Sequence, residues 1–160
     1  MAEVETPAAL LEMALQDLYD AEGALVERLP SIAANVQLAG LHDWIDADRR
    51  RSEKQRATLE GIAGEQGYDL GGEPCIWQRA ICDDADNDSQ TIARGRLRDI
   101  ALVGALRKAK AAERVSYETA MALARELDLR RAADRLTAMR NEEMEADGAL
   151  AKLLGELTQD

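Results

Sequence analysis

The stretch Leu11–Leu29, LEMALQDLYDAEGALVERL, decides how this chain folds. Taken at alternating steps of four and three, it gives Leu11, Leu15, Leu18, Glu22, Leu25 and Leu29. That is one apolar stripe along an α-helix, with a carboxylate at its centre. A glutamate facing a core is costly unless it is paired or ligated. The rest of the chain is therefore read for what meets Glu22.

Immediately upstream, Thr6-Pro7 is a helix start: a capping hydroxyl followed by proline at the first helical position. Downstream, Pro30 falls inside a continuing pattern of Leu29, Ile32, Ala33 and Val36. A kink or break is expected there, with helix resuming to about Leu38. Ala39-Gly40 reads as a turn. A second helix follows from about Leu41 to Gln66, with the stripe Leu41, Ile45, Asp48, Ser52, Gln55, Leu59 and Ile62. Its ends are apolar and its centre is polar. Arg49, Arg50 and Arg51 lie beside that stripe and read as a solvated face with ion pairs to neighbouring acids.

Gly67 to Pro74 is glycine-rich and reads as a loop. Glu73-Pro74 then opens a short helix carrying Ile76, Trp77, Ala80 and Ile81, which is expected to end in the acidic run from Asp83 to Asp88. The run lacks the sixth-position glycine and the terminal glutamate of an EF-hand, so capping and solvation are the expected roles, with Ser89 or Asp88 capping the next helix. The third long helix runs from near Gln90 to about Glu126, with the stripe Val103, Leu106, Lys110, Glu113, Tyr117 and Ala120. Asp128 is the expected N-cap of the fourth, from about Leu129 to Leu157. Its stripe reads Leu129, Ala133, Leu136, Met139, Glu143, Asp147, Leu150 and Leu154, although Ala146 could take the core position of Asp147.

The expected architecture is all-α: a single domain, 1–160, forming an antiparallel four-helix bundle with a kinked first helix and a short extra helix between the second and third long ones. Every long helix has a stripe interrupted near its middle. Mid-helix positions of a bundle fall at one level, so Glu22, Asp48, Lys110, Glu113, Glu143 and Asp147 should converge. Five acids against one lysine leave four negative charges where water is scarce. Either carboxyls are protonated or cations are bound. Carboxylate-lined bundle cores are how non-haem di-iron and di-manganese proteins hold metal. The bland alternative is that single polar residues in such stripes only set register.

Composition agrees. Hydrophobic residues make up 46% and no apolar run approaches the roughly 20 residues that a bilayer span needs. The N-terminus MAEVETPAAL shows no signal-peptide pattern, so a cytoplasmic protein is expected. A formal net charge of -11 argues against nucleic acid and anionic lipid as partners. Aromatics are only 3%, and Ala, Leu, Glu and Arg, all good helix formers, dominate. Cys75 and Cys82 on one helix would sit ~10 Å apart by helix rise, too far for a disulfide. They read as buried free thiols. His42, the single histidine, lies off the stripe and reads as surface.

At these residues the sequence resembles the YciE/YciF family of ferritin-like bacterial proteins. The likeness rests on Asp17-Leu18-Tyr19-Asp20-Ala21-Glu22, on Asp48, Ser52, Gln55 and Leu59, on Cys75, on Glu113 and Tyr117, and on Glu142, Glu143 and Asp147. The chain departs from the family pattern in two helices. Asp48 stands where the family carries histidine, and Lys110-Ala111-Ala112-Glu113 stands where it usually reads Glu-His-Tyr-Glu, so that Lys110 replaces an acidic ligand candidate. The resemblance implies a ferritin-like homodimer with a two-ion iron or manganese centre and a tie to stress responses. The metal candidates are Glu22, Asp48, Glu113, Glu143 and Asp147. Lys110 could fill a cation position itself, pairing with Glu113 or Glu22, and so make a metal-free structural or interaction protein. Tyr19 or Tyr117 could be a nearby hydrogen-bond partner, their ordinary role being bundle packing. An adaptor that docks a partner through the Trp77 helix is a third reading, with Trp44 and Trp77 more simply placed in the core or a dimer interface.

Overall fold

Thr6 opens the first helix as its sequence requires. Its hydroxyl accepts the Ala9 N–H at 3.1 Å, and Pro7 follows with its ring already set to helical geometry. The computed structural model describes residues 3–158 and holds five helices. These are α1 (Pro7–Ala33), α2 (Ala39–Gln66), α3 (Ile76–Thr91), α4 (Arg96–Glu126) and α5 (Arg130–Thr158). There is no strand among the described residues. The four long helices, α1, α2, α4 and α5, form the bundle.

The helix ends correct the sequence reading in several places. α1 runs unbroken through the exposed Pro30 and stops at Ala33, not near Leu38. Pro30 removes one backbone bond, but Leu29, Ile32 and Ala33 stay buried on the continuing stripe. The chain turns earlier than expected because the buried Asp99 of α4 accepts the N–H groups of Gln37 at 3.0 Å and Leu38 at 2.8 Å. Ala39 and Gly40, read as a turn, form the first turn of α2.

α2 ends at Gly67, which is left-handed at φ +69°, with the Tyr68 N–H bonded back to Ala63 O at 2.9 Å. α4 ends the same way on Asp128 at φ +57°, with Leu129 N–H bonded to Ala124 O at 2.8 Å. Asp128 therefore closes α4 through its backbone; its expected N-cap role on the last helix is not what the chain uses. The acidic run does not end α3 but lies inside it. Asp83 and Asp86, one turn apart, share the Arg28 guanidinium of α1 at 2.8 and 2.5 Å, which relieves their mutual repulsion. Ser89 and Asp88 are helical residues of α3, and α4 starts six residues later than the Gln90 expected of it.

The chain makes two hairpins, α1 with α2 and α4 with α5, joined by α3. Two apolar clusters fix the directions. One gathers Leu25, Leu29, Leu41, Ile45, Leu102, Leu106 and Leu150, from the end of α1, the start of α2, the start of α4 and the end of α5. The other gathers Leu11, Leu18, Leu59, Tyr117 and Leu136, from the opposite ends of the same helices. So α2 runs parallel to α4, and α3 is the crossover that returns the chain along the bundle. This is the ferritin-like arrangement of one crossover between two hairpins. Between the two clusters lies a layer that is not apolar.

Candidate metal centre

Each helix supplies the layer from the gap in its own stripe. On α1, Glu22 lies between Leu18 and Leu25; on α5, Glu143 lies between Met139 and Ala146. Asp48, Ser52 and Gln55 fill the gap between Ile45 and Leu59 of α2, and Lys110 with Glu113 that between Leu106 and Tyr117 of α4. All are buried, with exposures of 0–1%. Those residues were legible in the sequence, and they meet.

Lys110 is the hub. Its Nζ lies 2.9 Å from Asp48 Oδ2, 2.8 Å from Glu143 Oε2 and 3.4 Å from Glu113 Oε1. The Arg51 guanidinium, reaching in from the edge, binds the same Asp48. Neutral donors complete the shell. Gln55 Nε2 donates to Glu143 at 2.9 Å, Gln78 Nε2 to Glu113 at 2.6 Å, and Tyr117 Oη to Glu22 at 2.9 Å. One oxygen of each of Glu22, Glu113 and Glu143 lies within 4.8 Å of the other two. This three-glutamate face is the part of the layer that can close on a metal ion.

Formal charges set the chemistry. Glu22, Asp48, Glu113 and Glu143 bring four negatives, Lys110 and Arg51 two positives, so two negative charges need a partner. Burial, with the charge of Glu143 added, pushes Glu22 up to about 7. Burial and the charges of Glu143 and Glu22 push Glu113 well above the carboxylate range. Burial acts on Glu143 too, but Lys110, a hydrogen bond from Glu113 and the Gln55 amide outweigh it and hold this carboxyl below its ordinary value. Burial disfavours the charged Lys110, yet the surrounding carboxylates reverse that and raise it well above the usual lysine. Tyr117 is raised well above an ordinary phenol by burial and by Glu22, and stays a donor. In the metal-free molecule, then, protons on the Glu22–Glu113 side offset part of the charge that a divalent cation would balance.

The donor set fits a hard divalent ion. It is all oxygen, with no imidazole or thiolate in the three-residue group. Glu22 Oε2, fully buried, has no hydrogen-bond partner, and the carbonyl oxygens of Gln55 and Gln78 are likewise unpaired acceptors. A second ion fits less well, because Lys110 Nζ already stands among Asp48, Glu113 and Glu143.

Other candidates lie elsewhere. Asp147 is not brought to the layer: its side chain is 32% exposed and pairs with Arg107 at 2.7 Å, while Ala146 takes the inward position. Tyr19 donates outward to Glu60 at 2.5 Å. His42 is exposed. Cys75 and Cys82 are buried free thiols, pushed up by burial to about 12 and about 11. Trp44 sits in the core with its indole N–H on Ala146 O at 3.0 Å. Arg49 and Arg50 make the expected surface pairs, with Glu53 at 2.9 Å and Asp46 at 3.1 Å, but Arg51 turns to Asp48.

Two participants were missed in the sequence. Gln78 had a signal: Cys75, Gln78, Cys82, Ala85 and Ser89 follow the alternating step of three and four, so α3 has an inward face with a polar residue in it. Arg51 had none beyond its place one turn after Asp48.

Comparison with known proteins follows the same lines. A family model described as "Domain of unknown function (DUF892)" matches residues 6–160. Protein YciF of Escherichia coli (strain K12) is 26% identical over 140 residues, covering 87% of this chain and 84% of that protein. The crystal structure of the E. coli stress protein YciF superposes with a TM-score of 0.93 at 24% identity, over 96% of this chain and 98% of that one. YcfI of Rhodopseudomonas palustris superposes with a TM-score of 0.89 at 26% identity, over 93% and 95% of the two chains.

Proposed function

The chain belongs to the DUF892 family, and from that premise we propose that its core is a cation site. One divalent ion, iron or manganese, would be held by Glu22, Glu113 and Glu143, with the Lys110 ammonium filling a second cation position. The observation that carries this reading is the group of three buried glutamates with oxygens within 4.8 Å of one another and a charge deficit of two. Glu22, Glu113 and Glu143 would supply the ion's oxygens; Tyr117 orients Glu22, and Gln78 orients Glu113. A redox-active ion would bring oxygen or peroxide chemistry to the layer. A stress-associated role, by analogy with the E. coli stress protein YciF, belongs to the same proposal, as does a place in the cytoplasm.

The ion exchanges for protons. Glu22 and Glu113 must shed theirs to bind it, so uptake at neutral pH releases between about one and two protons per ion and strengthens as pH rises through 7. The test is metal analysis of protein purified without chelator, with a calorimetric titration by ferrous or manganous ion in two buffers of different ionisation enthalpy. About one ion per chain with proton release supports the reading. Metal present only in traces, with no titration heat, sinks it.

A metal-free reading has one observation in its favour: Lys110 and Arg51 already stand against the carboxylates of the layer and halve its negative charge. Lys110→Glu separates the two. If the natural chain takes up one ion and the variant two, the cation site stands; if only the variant binds, the natural chain is a metal-free structural or interaction protein.

A further inference from the structure

A second feature lies outside the polar layer. A groove of about 620 Å³ runs between α1 and α4 and is closed at one end by the 67–75 loop and the start of α3. Leu10, Met13, Ala14 and Asp17 line its α1 wall at i, i+3, i+4 and i+7. Val115, Thr119 and Leu123 face them from α4 at i, i+4 and i+8. Both walls are thus helix faces spaced to receive another helix, and no other element among the described residues covers them. Of the seven large apolar residues exposed among the described residues, four line this groove. They are Ile76 at 85%, Val115 at 53%, Met13 at 47% and Leu10 at 38% exposed. A concentration of that kind marks an interaction surface.

The groove is held open by construction. Gln16 Nε2 donates to Asp69 O at 2.8 Å, Asp20 accepts the Cys75 N–H at 2.5 Å, and the Trp77 indole N–H binds Asp17 at 2.8 Å. Gly72 packs so tightly on Gln16 that a Cβ there would come within 2.8 Å of its oxygen.

Charge chooses the occupant. Asp17 and Glu73 are the ionisable residues lining the groove, and no lysine, arginine or histidine lines it. A second copy docked through its own groove would set another Asp17 and Glu73 against that rim. We propose that the groove receives an amphipathic helix of another protein, its apolar face anchored at i, i+3/i+4 and i+7 and its flanks carrying lysine or arginine toward Asp17 and Glu73. The stretch from Leu10 to Asp17 is about 10 Å long by helix rise, so two to three turns of partner helix span it.

The probes are two synthetic amphipathic helical peptides, one of leucine and lysine and one of leucine and glutamate. Each is titrated into the full chain by calorimetry, and Trp77 fluorescence is followed in a Trp44→Phe background. The leucine–lysine peptide should bind, shift the Trp77 emission, and lose at least about tenfold in affinity on Ile76→Ser/Val115→Ser. Leu97→Ser, an exposed leucine elsewhere, should change nothing. Calorimetry on the natural chain stands alone if the Trp44 variant does not fold. Equal binding by the double variant, equal binding of the glutamate peptide, or no binding overturns the proposal. So does dimerisation of the natural chain that the double variant abolishes and the peptide does not compete, since the groove would then belong to a second copy.

Discussion

Glu143 and Asp147 sit one turn apart on α5, and each meets a cation of α4, yet they live in different chemistry. Glu143 is fully buried and shares Lys110 with Asp48 and Glu113. Asp147 is a third exposed and holds Arg107 in a pair of near-parallel contacts at 2.7 and 3.1 Å. The contacts are equally short. What differs is the dielectric around them, and that decides which pair the fold depends on. A surface pair can trade its partner for water; a buried one cannot.

The sharpest way to break this comparison is to remove the two cations in turn. Lys110→Met leaves the buried carboxylates without their central ammonium and should cost about 3–5 kcal/mol in the metal-free protein at neutral pH. Arg107→Met should cost less than about 1 kcal/mol. Chemical denaturation reads both; equal losses would mean the layer is not the low-dielectric space its burial implies.

The next effect is a pH dependence. Folded Glu22, pushed to about 7, keeps a proton that the unfolded chain releases near 4.5. The folded state therefore binds more protons between those values, and metal-free stability must fall as pH rises across that window, by on the order of 3 kcal/mol. Glu113 acts in the same direction. Glu143, lowered, gives a contribution already complete above its unfolded value, and Lys110, raised, one lost only at strongly alkaline pH. Glu22→Gln, whose amide oxygen can still accept from Tyr117, should flatten the fall. An unchanged slope of unfolding free energy against pH would show that Glu22 is not the group titrating.

Two smaller effects bracket the comparison from either side. Tyr117→Phe takes a donor from buried Glu22 and should cost about 1–2 kcal/mol while raising its pKa further. Asp147→Ala should stay within about 1 kcal/mol and leave metal stoichiometry unchanged. A lost ion in Asp147→Ala would return that residue to the ligand set.

How much of this was legible follows from helix geometry. The stripe Leu11–Leu29 names Glu22 as inward because Leu18 and Leu25 flank it at four and three residues, and Asp48, Glu113 and Glu143 are named by their places in stripes that turn apolar toward both ends. At Ala146 and Asp147 the pattern is silent. Each residue advances about 100°, so Ala146 lies some 60° to one side of Glu143 and Asp147 some 40° to the other. Either can face the core, and the rotation of α5 against α4 makes the choice. Nothing in the sequence singles out Asp99, because its partners, the N–H groups of Gln37 and Leu38, are about 60 positions away.

By itself the sequence determined the four rods, which face of each is apolar, and that each face is broken by acid at its middle, because those properties are local and repeat with the helix. The tertiary structure alone decided that Lys110 reaches three carboxylates, that Arg51 and Gln78 join them, and that Asp147 stays outside. Contacts between rods depend on their rotation and height, and no single helix encodes either.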